Sequence, residues 1–336
     1  MNSDTRGDNA RCPVCDSPDA ISLYSISPDE AAQHFMLREV DADRHNRLSH
    51  HIRTLWHGDV CTLRRCEACE FRFADPYVAG DTLFYNLAFG RSGYPSADKW
   101  DNQRTIQEIQ SARLDRVLEV GSGVGHFLDQ IAERVVPRAG IVATEFADDS
   151  IAKLRAKGYV AMQADVRDPS IVGPFDAIFM FQVVEHMDGI AALYERLAAL
   201  LKAGGQLYIS VPCMDRIEFN EGHGSLLDMP PNHIGGWSKA AFEIMGNRVG
   251  LVLEKYDIEP FELRQFVVQD LLYSHMRRAQ RSGSLSNRIR AGRTGMAGRI
   301  LEAAVIAAAA PSRIGVWAAA SRNDLGGSQW AKFVKT

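Results

Sequence analysis

The chain has 336 residues, 46% of them hydrophobic and 24% charged, an ordinary globular mix with enough apolar residues for a full α/β domain. Its formal net charge of −4 excludes a whole-chain electrostatic attraction to nucleic acid or to an anionic membrane. The opening MNSDTRGDNARC has no apolar core of signal-peptide length, and the longest apolar stretch, near 303–311, falls short of the roughly 20 residues of a span, so the expectation is a cytoplasmic protein with no membrane span.

The first 75 residues are polar and hold five of the six cysteines. Cys12-Pro-Val-Cys15 and Cys66-Glu-Ala-Cys69 form two CxxC pairs, while Cys61 and Cys213 stand apart. Without a secretion signal this pattern favours metal over disulfides. A CxxC turn aims two sulfurs at one point, and two turns complete a tetrahedron around zinc at Zn–S distances near ~2.3 Å. No ligand position is left open, so the zinc is expected to be structural. The pairs are 50 residues apart, and the intervening 29–57 carry mixed charge and five histidines, read as helix and loop. A redox dithiol is the alternative. Residues 76–113 read as a connector, with the aromatics Phe84, Tyr85, Phe89 and Tyr94 and then a helix over 99–112.

From 114 the pattern changes to short apolar runs alternating with helical stretches. Strands are expected at 116–120, 140–146, 159–163, 175–181, 206–211 and 251–257. Helices are expected at 124–135, at 148–157 with Asp148 as N-cap, at 190–201 closed by Gly204-Gly205, and at 239–249. That alternation predicts a parallel, doubly wound sheet with its crevice at the carboxyl ends of the strands. Residues 114–262 are read as this core and 263–336 as a helical C-terminal extension. A helix is expected over 263–278, and 328–334 is a candidate strand returning to the sheet. Residues 277–299 hold seven arginines and no acid, read as a solvated segment, a phosphate grip or an RNA contact.

Residues 117–125 read Val-Leu-Glu-Val-Gly-Ser-Gly-Val-Gly. Glycines after a strand let the backbone turn sharply and approach a ligand closely. The dinucleotide fingerprint GxGxxG would need a small residue at His126, so the spacing is GxGxG instead. Glu145 closes the second expected strand, where a carboxylate can accept both hydroxyls of a ribose. Asp165 follows the third.

An acid two residues before GxGxG, then acids at the next two strand ends, resembles the class I S-adenosylmethionine-dependent methyltransferase core over 117–211. The resemblance implies that Glu119 positions the methionine end of the cofactor, above Gly121, Ser122, Gly123 and Gly125. It implies that Glu145, beside Phe146, binds the ribose, and that Asp165 and the backbone of Val166 meet the adenine. Phe181, Gln182 and Glu185 would line the methyl-donating sulfonium, with His186 a candidate base. Pro230-Pro231-Asn232-His233 resembles a Pro-Pro-His-His element of a subgroup, with Asn at its third place, and makes His233 a second catalytic candidate. Tyr85 and Tyr94 match an aromatic lid. With the CxxC module and its aromatic lead-in, the resemblance to bacterial glycan and natural-product methyltransferases runs from about 11 to 257.

The implied function is methyl transfer to oxygen or carbon of a small molecule or sugar, nucleotide-linked acceptors included. An RNA methyltransferase is the second reading; the absence of aromatics between 277 and 299 counts against nucleic acid. A non-catalytic zinc-ribbon binding protein on a methyltransferase-like core is the third. No motif reads the acceptor or the oligomeric state.

Overall fold

A computed structural model describes residues 10–89, 99–292 and 295–336. Eleven strands among them are, in chain order, β1 (Ala20–Ile26), β2 (Cys61–Cys66), β3 (Arg72–Asp75), β4 (Val117–Val120), β5 (Ile141–Thr144), β6 (Val160–Met162), β7 (Phe175–Phe181), β8 (Leu201–Pro212), β9 (Gly235–Gly236), β10 (Leu251–Ile258) and β11 (Ser328–Lys335). Seven form a sheet in the order β10-β11-β8-β7-β4-β5-β6. β4 to β8 run parallel, and β11 is antiparallel to both its neighbours, β8 and β10.

Both faces of this sheet are covered, which explains the unbroken apolar runs. Leu118, Val120, Ile178, Met180, Leu207 and Ile209 pack with helices 190–200 and 239–248 on one face. Val117, Ile141, Ala143, Ala177 and Phe179 pack with Phe127, Ile131, Ile151 and Leu154 on the other. The chain leaves β4 toward β5 and β6, then returns to β7 on the opposite side. That reversal opens the crevice between the carboxyl ends of β4 and β7.

Three local expectations need correction. The helix after the glycine loop runs only from His126 to Ile131, because Glu133 takes a left-handed conformation (φ 64°) and Ala132 bridges to Val136. Ala147, not Asp148, is the N-cap of the next helix; Asp148 instead accepts Gln163 Nε2 at 2.7 Å. Helix 190–200 ends directly at β8, so Gly204-Gly205 lies inside that strand, beside a register shift against β7.

The N-terminal segment builds a second sheet, β1-β2-β3-β9. β3 pairs with β9, which belongs to the loop after β8, so the module is stitched into the core. Helices 28–35 and 42–56 fill the interval between the CxxC pairs. Because β11 lies between β10 and β8, the four helices from 263 to 322 form an insertion between two sheet neighbours. Asp270 holds them together, accepting Arg313 Nε at 2.9 Å and Trp317 Nε1 at 2.8 Å.

Candidate cofactor and acceptor site

The glycine loop turns under β5: the N–H groups of Gly121 and Ser122 both donate to the Thr144 carbonyl, at 2.9 and 3.0 Å. Gly121 has φ +71°, and a Cβ there would meet Val183 Cγ2 at 2.6 Å. Gly123 has φ +53° and faces open space, the cradle a ligand needs. Gly125, at φ +80°, caps the following helix. Ser122 is buried, its hydroxyl donating to the Glu119 carbonyl at 2.9 Å.

Glu145 is the anchor of this crevice. Its carboxylate accepts the N–H of Gly123 at 2.8 Å, of Phe146 at 2.7 Å and of Ala147 at 3.2 Å. The Phe146 side chain is exposed at the rim. Glu119 is 5% exposed, and its Oε2 has no hydrogen-bond partner among the described residues. Burial first, and the nearby Glu145 charge as well, push its carboxyl up to about 8, although Ser122 opposes the shift. An orphaned buried carboxyl beside a glycine cradle fits a cationic ligand group.

Asp165 is clasped by Arg167, which donates Nε and Nη2 to its two oxygens, both at 2.8 Å. Burial raises this carboxyl, but the Arg167 bonds outweigh it and hold it below its ordinary value. Val166 is fully buried, so only its backbone can face a ligand. Phe181 is buried in the aromatic layer with Phe127 and Phe179. Gln182 has φ 58° and donates its N–H to the Ser210 carbonyl at 2.8 Å.

At the mouth, Glu185, His186 and His233 bring one ligand atom each within 4.8 Å of one another. His186 Nδ1 lies 2.7 Å from the Asn232 carbonyl, so it carries the proton and donates, leaving Nε2 as the lone pair. Burial first, then the His233 charge, push His186 down to about 3, so it is neutral at pH 7. His233 goes the other way: burial lowers it, but ion pairing with Asp228 lifts it to about 9. Glu185 is 1% exposed, neither oxygen is hydrogen-bonded among the described residues, and burial pushes it up to about 7. Tyr85 Oη sits 3.2 Å from His186 Nδ1. Tyr94 lies outside the described residues.

A cleft of about 530 Å³ lies between the N-terminal module and the inserted helices; none of the mouth residues line it, and it is tied to them through Asp228. Tyr24, Gln33, Met229, Arg277 and Gln280 line it, and Tyr24 Oη donates to the Asp228 carbonyl at 3.2 Å. Three residues here escaped the sequence analysis. Asp228 is the partner of His233. Arg167 is the partner of Asp165, two residues on and legible as Asp-Val-Arg. The buried Asp101 accepts Ser210 Oγ at 2.7 Å; nothing in the sequence of helix 100–109 marks it out.

The four thiols of Cys12, Cys15, Cys66 and Cys69 also lie within 4.8 Å of one another. Each pair sits on a matching knuckle: the residue after its second cysteine, Asp16 or Glu70, is left-handed, and its N–H donates to the carbonyl of the first cysteine. Cys12–Cys69 and Cys15–Cys66 are 3.6 and 3.4 Å apart, too far for a disulfide near ~2.05 Å and close to the tetrahedral edge of about 3.8 Å that ~2.3 Å Zn–S bonds imply. Arg248 and Ser238 donate to the Val14 and Cys69 carbonyls at 2.6 Å each, fastening the knuckles to the core.

Residues 118–207 match the family model described as a methyltransferase domain. Over 133 residues the chain is 31% identical to the ubiquinone biosynthesis O-methyltransferase of Xylella fastidiosa strain 9a5c, covering 33% of this chain and 53% of that one. It is 27% identical over 122 residues to the trans-aconitate 2-methyltransferase of Rhizobium rhizogenes, covering 34% and 47%. The chain thus spans about half the length of the curated relatives it matches. A S-adenosylmethionine-dependent methyltransferase from Archaeoglobus fulgidus superposes with a TM-score of 0.44 at 17% identity, over 70% of this chain and 90% of that one. The fold is the Rossmann-like α/β methyltransferase fold, with a cysteine-cluster module toward the N-terminus.

Proposed function

We propose that this protein transfers the methyl group of S-adenosylmethionine to oxygen or carbon of a small-molecule or sugar acceptor, and that a structural zinc sits among its four clustered cysteines. The observation that carries the reading is the Glu145 carboxylate, fixed by three backbone N–H groups at the carboxyl end of β5 and facing the glycine cradle. Its fixed orientation suits a bidentate grip on two ribose hydroxyls. Glu119 would receive the ammonium of the methionine end, satisfying its orphaned oxygen. Asp165, set by Arg167, would face the adenine amino group beside the Val166 backbone. Ser122, Phe146, Phe181 and Gln182 complete the walls. The match to a methyltransferase domain and the relatives named methyltransferase support the same chemistry.

The bound cofactor supplies an already activated methyl group, so the protein's task is alignment in a site closed to water. Such positioning contributes roughly 7–11 kcal/mol. Where the acceptor is a hydroxyl, the free Nε2 of neutral His186 accepts its hydrogen bond and orients the oxygen. Glu185, 3.9 Å from that nitrogen and pushed up to about 7, has the proton affinity that suits a base for that proton at neutral pH. The Asp228–His233 pair, a carboxylate and an imidazolium without net charge, packs its His233 ring against His186 and helps to position it.

The test is release of S-adenosylhomocysteine from S-adenosylmethionine when phenolic, carboxylate and nucleotide-sugar acceptor pools are added. Acceptor-dependent release supports the reading. Binding of the product with no release across all pools favours a binding protein on a methyltransferase-like core.

A further inference from the structure

Helix 295–308, Gly-Met-Ala-Gly-Arg-Ile-Leu-Glu-Ala-Ala-Val-Ile-Ala-Ala, is apolar almost throughout, yet it is turned inside out. Its one carboxylate, Glu302, is its only buried residue, facing the buried His275 at 3.3 Å and Arg290 at 3.7 Å. Met296, Ile300 and Leu301 are 77%, 64% and 54% exposed. Ala303, Ala304 and Ala307 continue their stripe at three- and four-residue spacing and are exposed as well. A helix on a water-soluble surface shows the opposite arrangement. The next helix, 314–322, begins with Ile314 at 60% exposure and buries only Ala320.

No single helix among the described residues is long and apolar enough to cross a membrane; segments 295–308 and 310–322 pass that test only as a pair bent by 41°. Topology rules out a crossing. The chain emerging from the pair forms β11, which lies between β8 and β10, so a single pass would put β11 across the bilayer from both partners. The bend is also tied to the body, for Arg313 pairs with Asp270 and donates to the His223 carbonyl at 2.6 Å. The apolar stripe must therefore lie along a surface.

Charge selects the surface. Residues 277–322 hold nine arginines against one acid, the buried Glu302; Arg277 and Arg281 line the cleft, Arg290 and Arg313 are ion-paired, and Arg288, Arg299 and Arg322 are exposed. An outward apolar stripe with Arg299 on the same helix and Arg322 at the end of the next complements an anionic bilayer: apolar side chains enter the acyl boundary while guanidinium groups stay among the headgroups. The net charge of the whole chain conceals this local excess.

We propose that helices 295–308 and 314–322 dock this protein in the plane of an anionic lipid membrane. Docking stands apart from the methyl-transfer reading and is tested without it. The full chain is floated with vesicles of equal phosphatidylglycerol and phosphatidylcholine, and with phosphatidylcholine alone, at low and high salt. The expected result is partition into the anionic vesicles that weakens with salt and falls about tenfold or more in the double variant Ile300→Glu, Leu301→Glu. Unchanged thermal unfolding of that variant shows that the fold is retained. The second variant, Arg288→Gln with Arg299→Gln, lowers partition into anionic vesicles only. Failure of the folded wild-type chain to bind anionic vesicles overturns the proposal. So does a dimer that disappears in the Ile300/Leu301 variant while no vesicle binding is seen, which would make a second copy the occupant.

Discussion

Glu145 and Gly123 meet across the crevice, carboxylate to backbone N–H at 2.8 Å, so the acid that ends β5 is held by the loop that follows β4. The same contact makes Glu145 both a proposed ribose ligand and the brace of the glycine loop. Replacing it with alanine removes hydrogen bonds to a charged group worth roughly 1.5–3 kcal/mol each. We expect Glu145→Ala to weaken binding of S-adenosylhomocysteine by about tenfold to a few hundredfold, with a cooperative unfolding transition retained. Calorimetric titration checks this, and unchanged affinity would place the ribose elsewhere.

The orphaned carboxyl of Glu119 gives a pH signature. In the free protein it is pushed up to about 8, so it is mostly protonated at pH 7. An ammonium brought to it favours the ionised form, so binding expels a proton. Affinity should rise between pH 6 and 8 by up to about tenfold per unit, then level off. Titrations in two buffers of different ionisation enthalpy will show the released proton. Glu119→Gln should flatten the pH profile; a profile that stays steep assigns it to another group.

How much of this was legible in the sequence depended on distance along the chain. The run from β4 through the glycine loop to β7 announces itself, because each element's pattern is local and both sheet faces are apolar. The small sheet did not. β1 alternates only weakly and has largely exposed side chains, and the β3–β9 pairing joins residues far apart through two glycines that carry no pattern. Asp228 was missed for a similar reason: its meaning lies in the turn that presents it to His233. A strand at 328–334 was readable from Trp330, Ala331 and Phe333, but its place between β10 and β8 was not. Periodicity says that a strand exists, not whom it pairs with, so the inserted helices read as a tail. The outward stripe of helix 295–308 was invisible because an apolar helix is ordinarily assumed to face inward.

The Asp228–His233 pair predicts a pH window for stability. His233 is raised to about 9 in the folded chain, so its contribution is complete below about 6.5 and is lost as pH rises through about 9. Asp228 is burdened by burial but held below its ordinary value chiefly by the His233 charge, so its contribution is lost in acid. Asp228→Asn should destabilise the protein by about 2–4 kcal/mol near pH 6 and remove the alkaline loss. Denaturant titration at pH 6 and pH 9 measures both. An equal loss at the two values would mean that the pair is not charged.

The cysteine cluster predicts about one zinc per chain in freshly purified protein. Cys66→Ser should abolish it, and chelation should lower the unfolding temperature, because four thiols held within 4.8 Å need a cation to remain together as thiolates. The module shares its sheet with β9, so metal loss should also disturb the loop that carries His233. A wild-type protein that holds no zinc yet unfolds at the same temperature with and without chelator would reduce the cluster to buried thiols.

The most direct test of the central claim is calorimetric titration of the full chain with S-adenosylhomocysteine, with NAD as the control ligand. The structure predicts one-to-one binding of S-adenosylhomocysteine and no heat with NAD, since His126 stands where the dinucleotide fingerprint needs a small residue. Binding to NAD alone would contradict the account and make the crevice that of a dinucleotide enzyme.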